Sequence, residues 1–364
     1  MALIGKGFWI WKIPNCESGN ASYITATAVA AKLTHVMIKI ADGVALSNYD
    51  AVNKVDYIAP VVSALKARGI QVWGWHYVYG NDPLQEARLA SQRTLQYNLD
   101  GYIIDAEIEY KAAGKSTAAK TFMTELRKYL PSHPIALSTY RFPSYHMEFP
   151  FNSFLEKCDL TMPQVYWEEA HNPDVQLTRC VTEYKTKVLP RPIIPTGPAY
   201  KVGSWAPTIE DTNLFMKTAL NLNLPAVNFF SWDECKRDLI SIWNTVSAYN
   251  YSNSTVSDFP TRFINALNTH NADTVAAFYT PNAVQITPSR TIQGAASIRS
   301  WYNGLFTQVL PNAVFTLTGS SGTGNTRHIT WKCTASNGRT ATGSDTIGLS
   351  NDLIAYHYSF FKIS

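Results

Sequence analysis

The chain has 364 residues, enough to bury large apolar cores and better suited to two domains than to one. Its net charge of +4 is too small for an electrostatic footprint on nucleic acid, and no Lys/Arg block appears, so no nucleic-acid partner is expected. No run of about 18 apolar residues exists, so no membrane span is expected either.

The N-terminus, Met1 to Lys12, passes almost directly into a strand-like run and lacks a signal-peptide pattern. An extracellular location is expected only if a leader has been removed. The five cysteines (Cys16, Cys158, Cys180, Cys235 and Cys333) are scattered, with no CxxC. Neither a zinc site nor a disulfide scaffold is indicated, and no metal or organic cofactor is expected.

Over residues 1–250 strand and helix patterns alternate. Strand one is Phe8 to Ile13, followed by an Ala-rich helix from Ser22 to Lys32. Strand two, His35 to Ala41, closes at Asp42-Gly43, and a helix from Val52 to Arg68 stops at Gly69. Strand three, Ile70 to Tyr79, leads to a helix from Leu84 to Tyr97. Strand four, Tyr102 to Ile104, is followed by a helix from Thr117 to Tyr129 that ends before Pro131. Strands five to eight are Ile135–Tyr140, Leu160–Tyr166, Ile193–Thr196 and Ala226–Trp232. Their helices are Ser153–Lys157, Val175–Lys187, Ile209–Asn221 and Leu239–Tyr249. Eight strand-then-helix units in about 250 residues predict an α/β fold of the (β/α)8 TIM-barrel type. The near-continuous apolar strands suit a parallel sheet covered on both faces.

Strand four runs straight into carboxylates. Asp105 and Glu107 are two residues apart, so on a strand they point to the same side. Two acids in one confined site cannot both keep ordinary pKa values, and a raised one suits a general acid. At the same C-terminal level of the other strands stand Lys12, Lys39, Asp42, Trp75, His76, Tyr77, Ser138, Tyr140, Arg141, Gln164, Tyr166, Trp167, Tyr200, Trp232 and Asp233. A cup of carboxylates rimmed by Trp and Tyr suits a sugar, whose C–H faces stack on aromatic rings while polar groups bind its hydroxyls. Lys12 and Lys39, if they point inward, would lower the acids' pKa and oppose a general-acid role. Barrel closure also brings the first and last strands together, which predicts Cys16 and Cys235 as spatial neighbours. A bridge between them and a pair of unrelated thiols both stay open.

Asp100-Gly101, with Asp105 and Glu107, resembles the DGxDxDxE signature of chitinase-type family-18 glycosidases, with Ile103 in place of its middle Asp. That resemblance implies Glu107 as the acid and Asp105 as the support for attack by an N-acetyl group, with Tyr166 and Trp232 as further equivalents. A second resemblance, to the family-25 (Chalaropsis-type) lysozymes, covers more of the chain. It rests on Ile38-Lys39-Ile40-Ala41-Asp42-Gly43, on Trp75-His76-Tyr77, on Gln85-Glu86-Ala87 and on Ile104-Asp105-Ala106-Glu107. Two acids of that family are missing, since Trp11-Lys12 and Asn228 stand in their places.

After Tyr249 the composition shifts. Residues 251–257 are polar and linker-like, and no glutamate follows Glu234. Phe259–Leu267, Ala272–Tyr279 and Ala296–Phe306 read as helices, and Ala313–Thr318, His328–Ala335, Ala341–Leu349 and Ile354–Ile363 as strands. Helices followed by an antiparallel sheet predict an α+β domain over residues 258–364. It resembles the NTF2-like, SnoaL-type cone through Phe278-Tyr279-Thr280-Pro281-Asn282-Ala283, Ile292-Gln293-Gly294 and the closing Ser350 to Ile354. That resemblance implies a ligand pocket faced by Asp345, as a candidate base, and His357, and a homodimer through this domain.

The expectation is therefore a glycoside hydrolase acting on N-acetylated glycans such as peptidoglycan or chitin. Glu107 and Asp105 would be catalytic. Trp75, His76, Tyr77, Tyr140, Gln164, Tyr166, Trp232, Asp233, Lys12 and Lys39 would bind substrate. The alternatives are a non-catalytic carbohydrate-binding barrel, and an activity of the cone domain on an apolar small molecule.

Overall fold

The computed structural model describes residues 3–251, 259–322, 325–350 and 353–364. By its contacts the chain divides into two compact units, residues 1–253 and 254–364. The expected linker lies, except for Tyr251, outside the described residues. Tyr251 itself belongs with the first unit, where it is buried and donates from its hydroxyl to the Leu224 carbonyl at 3.0 Å.

The first unit is a mixed α/β structure around a curled parallel sheet. Its main strands are β1 (Gly5–Ile10), β2 (His35–Asp42), β3 (Gln71–Val78), β4 (Gly101–Ala106), β5 (Ile135–Ser138), β6 (Leu160–Thr161), β7 (Thr196–Pro198) and β8 (Ala226–Phe230). They lie in the order β7-β8-β1-β2-β3-β4-β5-β6. Beyond β6, parallel bridges join Thr161 to Ile193 and Gln164 to Thr196. The sixth strand is shorter than expected because Pro163 has no N–H to give the ladder.

Side chains alternate between the two faces, so two apolar layers form. Phe8, Ile10, Val36, Ile38, Tyr102 and Ile104 face the helices. Trp9, Met37, Trp73, Trp75, Ile103, Ala136, Met162 and Ala226 fill the concave side. The Asp100-Gly101 pair turns out to be structural. Asp100 accepts from the Val72 N–H at 2.8 Å and from Lys66 at 3.0 Å, and a Cβ on Gly101 would lie 2.4 Å from the Trp73 ring.

Helices α1 (Ala21–Ala30), α2 (Ile58–Lys66), α3 (Pro83–Gln96), α4 (Lys115–Tyr129), α5 (Phe151–Leu155), α6 (Pro173–Thr186), α7 (Ile209–Asn221), α8 (Trp232–Asp238) and α9 (Ile240–Ala248) complete the unit. The helix expected from Val52 starts at Ile58 instead. Asp50 accepts the N–H groups of Val52 and Asn53 at 2.9 and 3.0 Å, which turns the chain before any helix can start. The last strand is also shorter than expected and ends at Phe230. Ser231 caps α8, accepting from the Glu234 N–H and donating to its carboxylate at 3.1 Å, so Trp232 opens a helix.

The second unit has helices α10 (Phe259–Leu267), α11 (Ala272–Ala276) and α12 (Ala295–Gly304). Its strands are β9 (Tyr279–Thr287), β10 (Arg290–Gln293), β11 (Val314–Ser321), β12 (Thr326–Thr334), β13 (Thr340–Ser350) and β14 (Leu353–Ile363), in the order β10-β9-β14-β13-β12-β11. Only the β9–β14 pair is parallel among these neighbours. The helix expected from Ala272 to Tyr279 stops at Ala276, and β9 and β10 are strands that the pattern did not predict. Pro281-Asn282 falls in a register shift inside β9.

Candidate functional site

Asp105 is the last concave-side residue of β4, buried at 7% exposure, and Glu107 follows it at the mouth. The Gln164 amide nitrogen donates to both, reaching Asp105 Oδ1 at 3.0 Å and Glu107 Oε1 at 2.9 Å. One side chain from the sixth strand position therefore holds the two acids on one side. Burial lifts Asp105 well above the usual carboxylate range, and the Glu107 charge adds to this. Lys39, Gln164 and a hydrogen bond from Ser138 act in the opposite sense. Burial also raises Glu107, with Gln164 opposing and the Glu109 charge assisting. The two acids form a coupled pair in which ionising one disfavours ionising the other.

Trp75, in the apolar layer below, donates from its indole to the Ile10 carbonyl at 3.0 Å. The Lys39 ammonium stands 4.9 Å from the Trp75 ring centroid and pairs with Asp42 at 2.6 Å, while the Tyr79 hydroxyl donates to the other Asp42 oxygen at 2.8 Å. Tyr77 lies in register with Asp105 and donates to Glu109 Oε2 at 2.8 Å. Tyr140 is bridged in strand fashion to Gln164 and stacks on His146 at 3.7 Å. Burial and then the charges of Glu107 and Glu109 push its phenol up to about 12. Tyr166 packs edge-on against Tyr200 at 5.3 Å, and after burial and Tyr200 the charges of Asp105 and Glu107 raise it further.

Several expected residues lie elsewhere. His76 faces the helix layer, bonded to the Tyr102 hydroxyl at 2.9 Å and the Gly43 carbonyl at 2.7 Å, and burial lowers its pKa to about 4. Being one residue from Trp75 and Tyr77 on a strand, it must point the other way. Trp232 is fully buried in that layer between Phe8 and Trp243, with its indole on Glu17 at 2.8 Å. Phe230 takes the place expected of it, with ring centroids 6.1, 6.5 and 6.2 Å from Trp75, Tyr166 and Tyr200. Asp233, on α8, accepts from the Trp11 N–H at 3.5 Å and lies beside Cys16. Lys12 is exposed over the Trp11 ring at 5.3 Å, so of the two lysines only Lys39 acts on the acids. Arg141 is half-buried near Phe142, and Trp167 packs in the helix layer.

Glu109 and Phe230 were missed. The signal for Glu109 was a third acid at the same two-residue spacing, and for Phe230 the alternation from Ala226 through Asn228. Cys16 and Cys235 are free and buried. Glu17, next to Cys16, reaches Trp232 and Lys236 of α8, the helix that carries Cys235. Among the described residues no group of three or more His, Cys, Asp or Glu could hold a metal ion. No helix among them is long and apolar enough to cross a membrane.

In the second unit Asp345 and His357 come together in an apolar cavity walled by Phe263, Trp301, Tyr302, Phe315, Trp331 and Phe361. The cavity leaves about 20 Å³ for the centre of a water molecule, room for about one. Asp345 accepts from the Trp331 indole at 2.9 Å and the Ser359 hydroxyl at 2.6 Å, and His357 Nε2 stands 3.4 Å away. The Tyr279 hydroxyl bonds His357 Nδ1 at 2.6 Å and the Tyr302 hydroxyl at 3.0 Å.

Residues 261–357 match the SnoaL-like domain family. No curated protein matches the chain. Among solved structures the chain is similar to an NTF2-like protein of unknown function from Cytophaga hutchinsonii ATCC 33406, with 19% identity over 29% of this chain and 88% of that one, at TM-score 0.25. An NTF2-like protein from Mesorhizobium loti shows 16% identity over 29% and 89%, at TM-score 0.26. A protein with a ketosteroid isomerase-like fold from Catenulispora acidiphila DSM 44928, in complex with trimethylamine, shows 12% identity over 28% and 83%, at TM-score 0.26. By the family match, the second unit carries a SnoaL-like domain over residues 261–357. The glycosidase-type resemblance of the first unit has no counterpart in the family match.

Proposed function

We propose that the first unit is a (β/α)8 barrel that hydrolyses glycosidic bonds in N-acetylated glycans of the peptidoglycan or chitin kind. The bridges from Thr161 to Ile193 and from Gln164 to Thr196 support closure, because they join the strands at the two ends of the sheet order. The observation that carries the chemistry is the buried Asp105–Glu107 pair held by one Gln164 amide beneath an aromatic wall. Burial raises both acids and the charge of one disfavours ionising the other, and a carboxyl that keeps its proton to higher pH is what protonating a leaving oxygen needs. Glu107, nearer the mouth, is the acid, and Asp105 steers an N-acetyl group or offsets developing positive charge. Trp75, Phe230 and Tyr166 supply apolar faces for the sugar.

The test is release of reducing ends by the full chain from peptidoglycan, chitin oligomers and aryl N-acetylglucosaminides, with Glu107→Gln as control. General acid catalysis is worth about 10²–10⁴-fold, so turnover should fall by that amount while glycan binding persists. Equal turnover in the variant, or none by the parent chain on any of the three substrates, would refute the reading.

A second reading concerns the SnoaL-like domain. Its aromatic cavity ends in the Asp345, His357 and Ser359 cluster, which suits a small apolar ligand with one polar terminus, but with room for about one water it would take such a ligand only after the walling side chains move apart.

A further inference from the structure

Trp11 lies just past the end of β1, on the mouth side of the sheet. Phe230 joins its ring to the floor of the site, with centroids 6.4 Å from Trp11, 6.1 Å from Trp75 and 6.2 Å from Trp9. Exposure rises along this wall, from 2% at Trp9 and 3% at Trp75, through half-buried Phe230, to 40% at Trp11. Among the described residues Trp11 is the only exposed tryptophan. Its backbone is held on both sides. The N–H reaches Asp233 at 3.5 Å, and the carbonyl accepts from the Asn48 amide nitrogen at 3.1 Å. That nitrogen also donates to the Lys39 carbonyl at 2.8 Å, while the amide oxygen accepts from the Ile13 N–H at 2.7 Å. Two ammonium groups lie beside the indole, Lys12 at 5.3 Å and Lys39 at 5.7 Å from its centroid. Lys39 is pinned by Asp42 at 2.6 Å, but Lys12 is exposed on a flexible stem and can swing off the ring.

We propose that Trp11 is the platform for the sugar next to the reacting one, so that the site takes a chain of N-acetylated sugars rather than a single unit. The proposal rests on the glycan reading of the site but not on hydrolysis. A sugar over the Asp105–Glu107 pair has Trp75, Phe230 and Tyr166 as its apolar faces. A linked neighbour leaving the mouth past Phe230 meets Trp11, the next ring of the same wall. An indole offers the broad, flat apolar face on which pyranose C–H groups stack. With its backbone fixed and only two side-chain torsions, it loses little freedom when the sugar arrives. A tryptophan kept for packing alone would be covered, as Trp9 and Trp75 are. Lys12, once off the ring, is a donor for the hydroxyls of that outer sugar.

The test is calorimetric titration with N-acetylglucosamine and its short β-linked oligomers, in the full chain carrying Glu107→Gln so that no bond is cut. Affinity should rise when a second sugar is added, because the linked unit binds at high effective concentration. Adding Trp11→Ala should shrink that gain by about three- to tenfold, the order expected for loss of an aromatic face. Trp11→Phe should keep part of the gain, and Tyr23→Ala, which removes an exposed ring on α1, should keep all of it. Iodide reaches the exposed Trp11 before the buried tryptophans, so the oligomers should protect the fluorescence from quenching and the monosaccharide should not. No gain with chain length, an intact gain in a folded Trp11→Ala chain, or quenching that the oligomers leave unchanged would overturn the proposal. Oligomer binding through Trp11 without hydrolysis by the parent chain would refute the hydrolytic reading alone. Hydrolysis by the parent chain together with an intact gain in Trp11→Ala would refute this one alone.

Discussion

Gln164→Leu is the sharpest perturbation of the site, because one amide group serves both acids at 3.0 and 2.9 Å. Leucine is close in volume, so the change removes donors and leaves packing. A hydrogen bond to a charged group is worth about 1.5–3 kcal/mol, and part of that is kept when the acceptor carboxyl is neutral. A difference of about 1 kcal/mol per bond between the two protonation states corresponds to somewhat under one pK unit each, at 1.36 kcal/mol per unit. The two midpoints of the pair should therefore rise by a total of about one to two units. Carbon-13 NMR of the Asp and Glu carboxyls reads this directly, and the macroscopic sum is the quantity to compare, since the sites are coupled. A sum that stays put or falls would mean that Gln164 does not hold the acids in solution.

Two further predictions follow from groups away from the pair. Lys6 is buried at the start of β1, and its ammonium caps α9 through the carbonyls of Val246, Ser247 (2.8 Å) and Tyr249 (2.8 Å). Burial and then the Lys32 charge lower its pKa from 10.5 to about 8, so the folded state gives up this proton before the unfolded state does. Relative to Lys6→Met, the parent chain should gain stability as pH rises from about 8 to 10.5, in urea melts at fixed salt; a constant difference across that window would refute the assignment. In the second unit Tyr356, Tyr358 and Phe360 form an exposed stripe on the outer face of β14. The full chain should be a dimer by light scattering, and Tyr358→Lys should weaken it; a monomer at micromolar concentration in the parent chain would end that expectation.

The positions of the first unit's strands were legible because near-continuous apolar runs leave a local trace, as in His35 to Ala41, which is buried throughout. What decided the details was not local in that sense. Ser231 and Glu234 convert the expected end of a strand into a helix start, and that single cap moves Trp232 from the concave side into the helix layer. His76 could have been excluded from the site by alternation alone, since Trp75 and Tyr77 flank it. Gln164 was named as a sugar contact, but its bridging of both acids depends on Pro163 interrupting the strand and on the pairings to Tyr140 and Thr196. Nothing in the spacing of residues 105, 107 and 164 encodes that. The SnoaL-like domain was legible through its turns and its closing strands, whereas β9 hid behind Pro281-Asn282.

The sign of the pair's effect on stability separates a functional site from a structural ion-pair network. Acids kept to hold strands together would have folded-state pKa values below the unfolded ones, and their contribution would be lost as pH falls. Here burial raises both Asp105 and Glu107. Their contribution is therefore fully present below about pH 4, the unfolded carboxylate range, and is lost as pH rises toward the folded midpoints. Above the folded midpoints the pair works against folding, which a network built for stability would not do. Replacing both acids by Asp105→Asn and Glu107→Gln keeps their shape and an acceptor for the Gln164 amide. The double variant should match the parent chain near pH 4 and exceed it at pH 7 to 8, in denaturant melts followed by tryptophan fluorescence. A variant that loses ground as pH rises would instead make these acids structural partners of Lys39, and would remove the physical basis for reading them as a proton donor and its support.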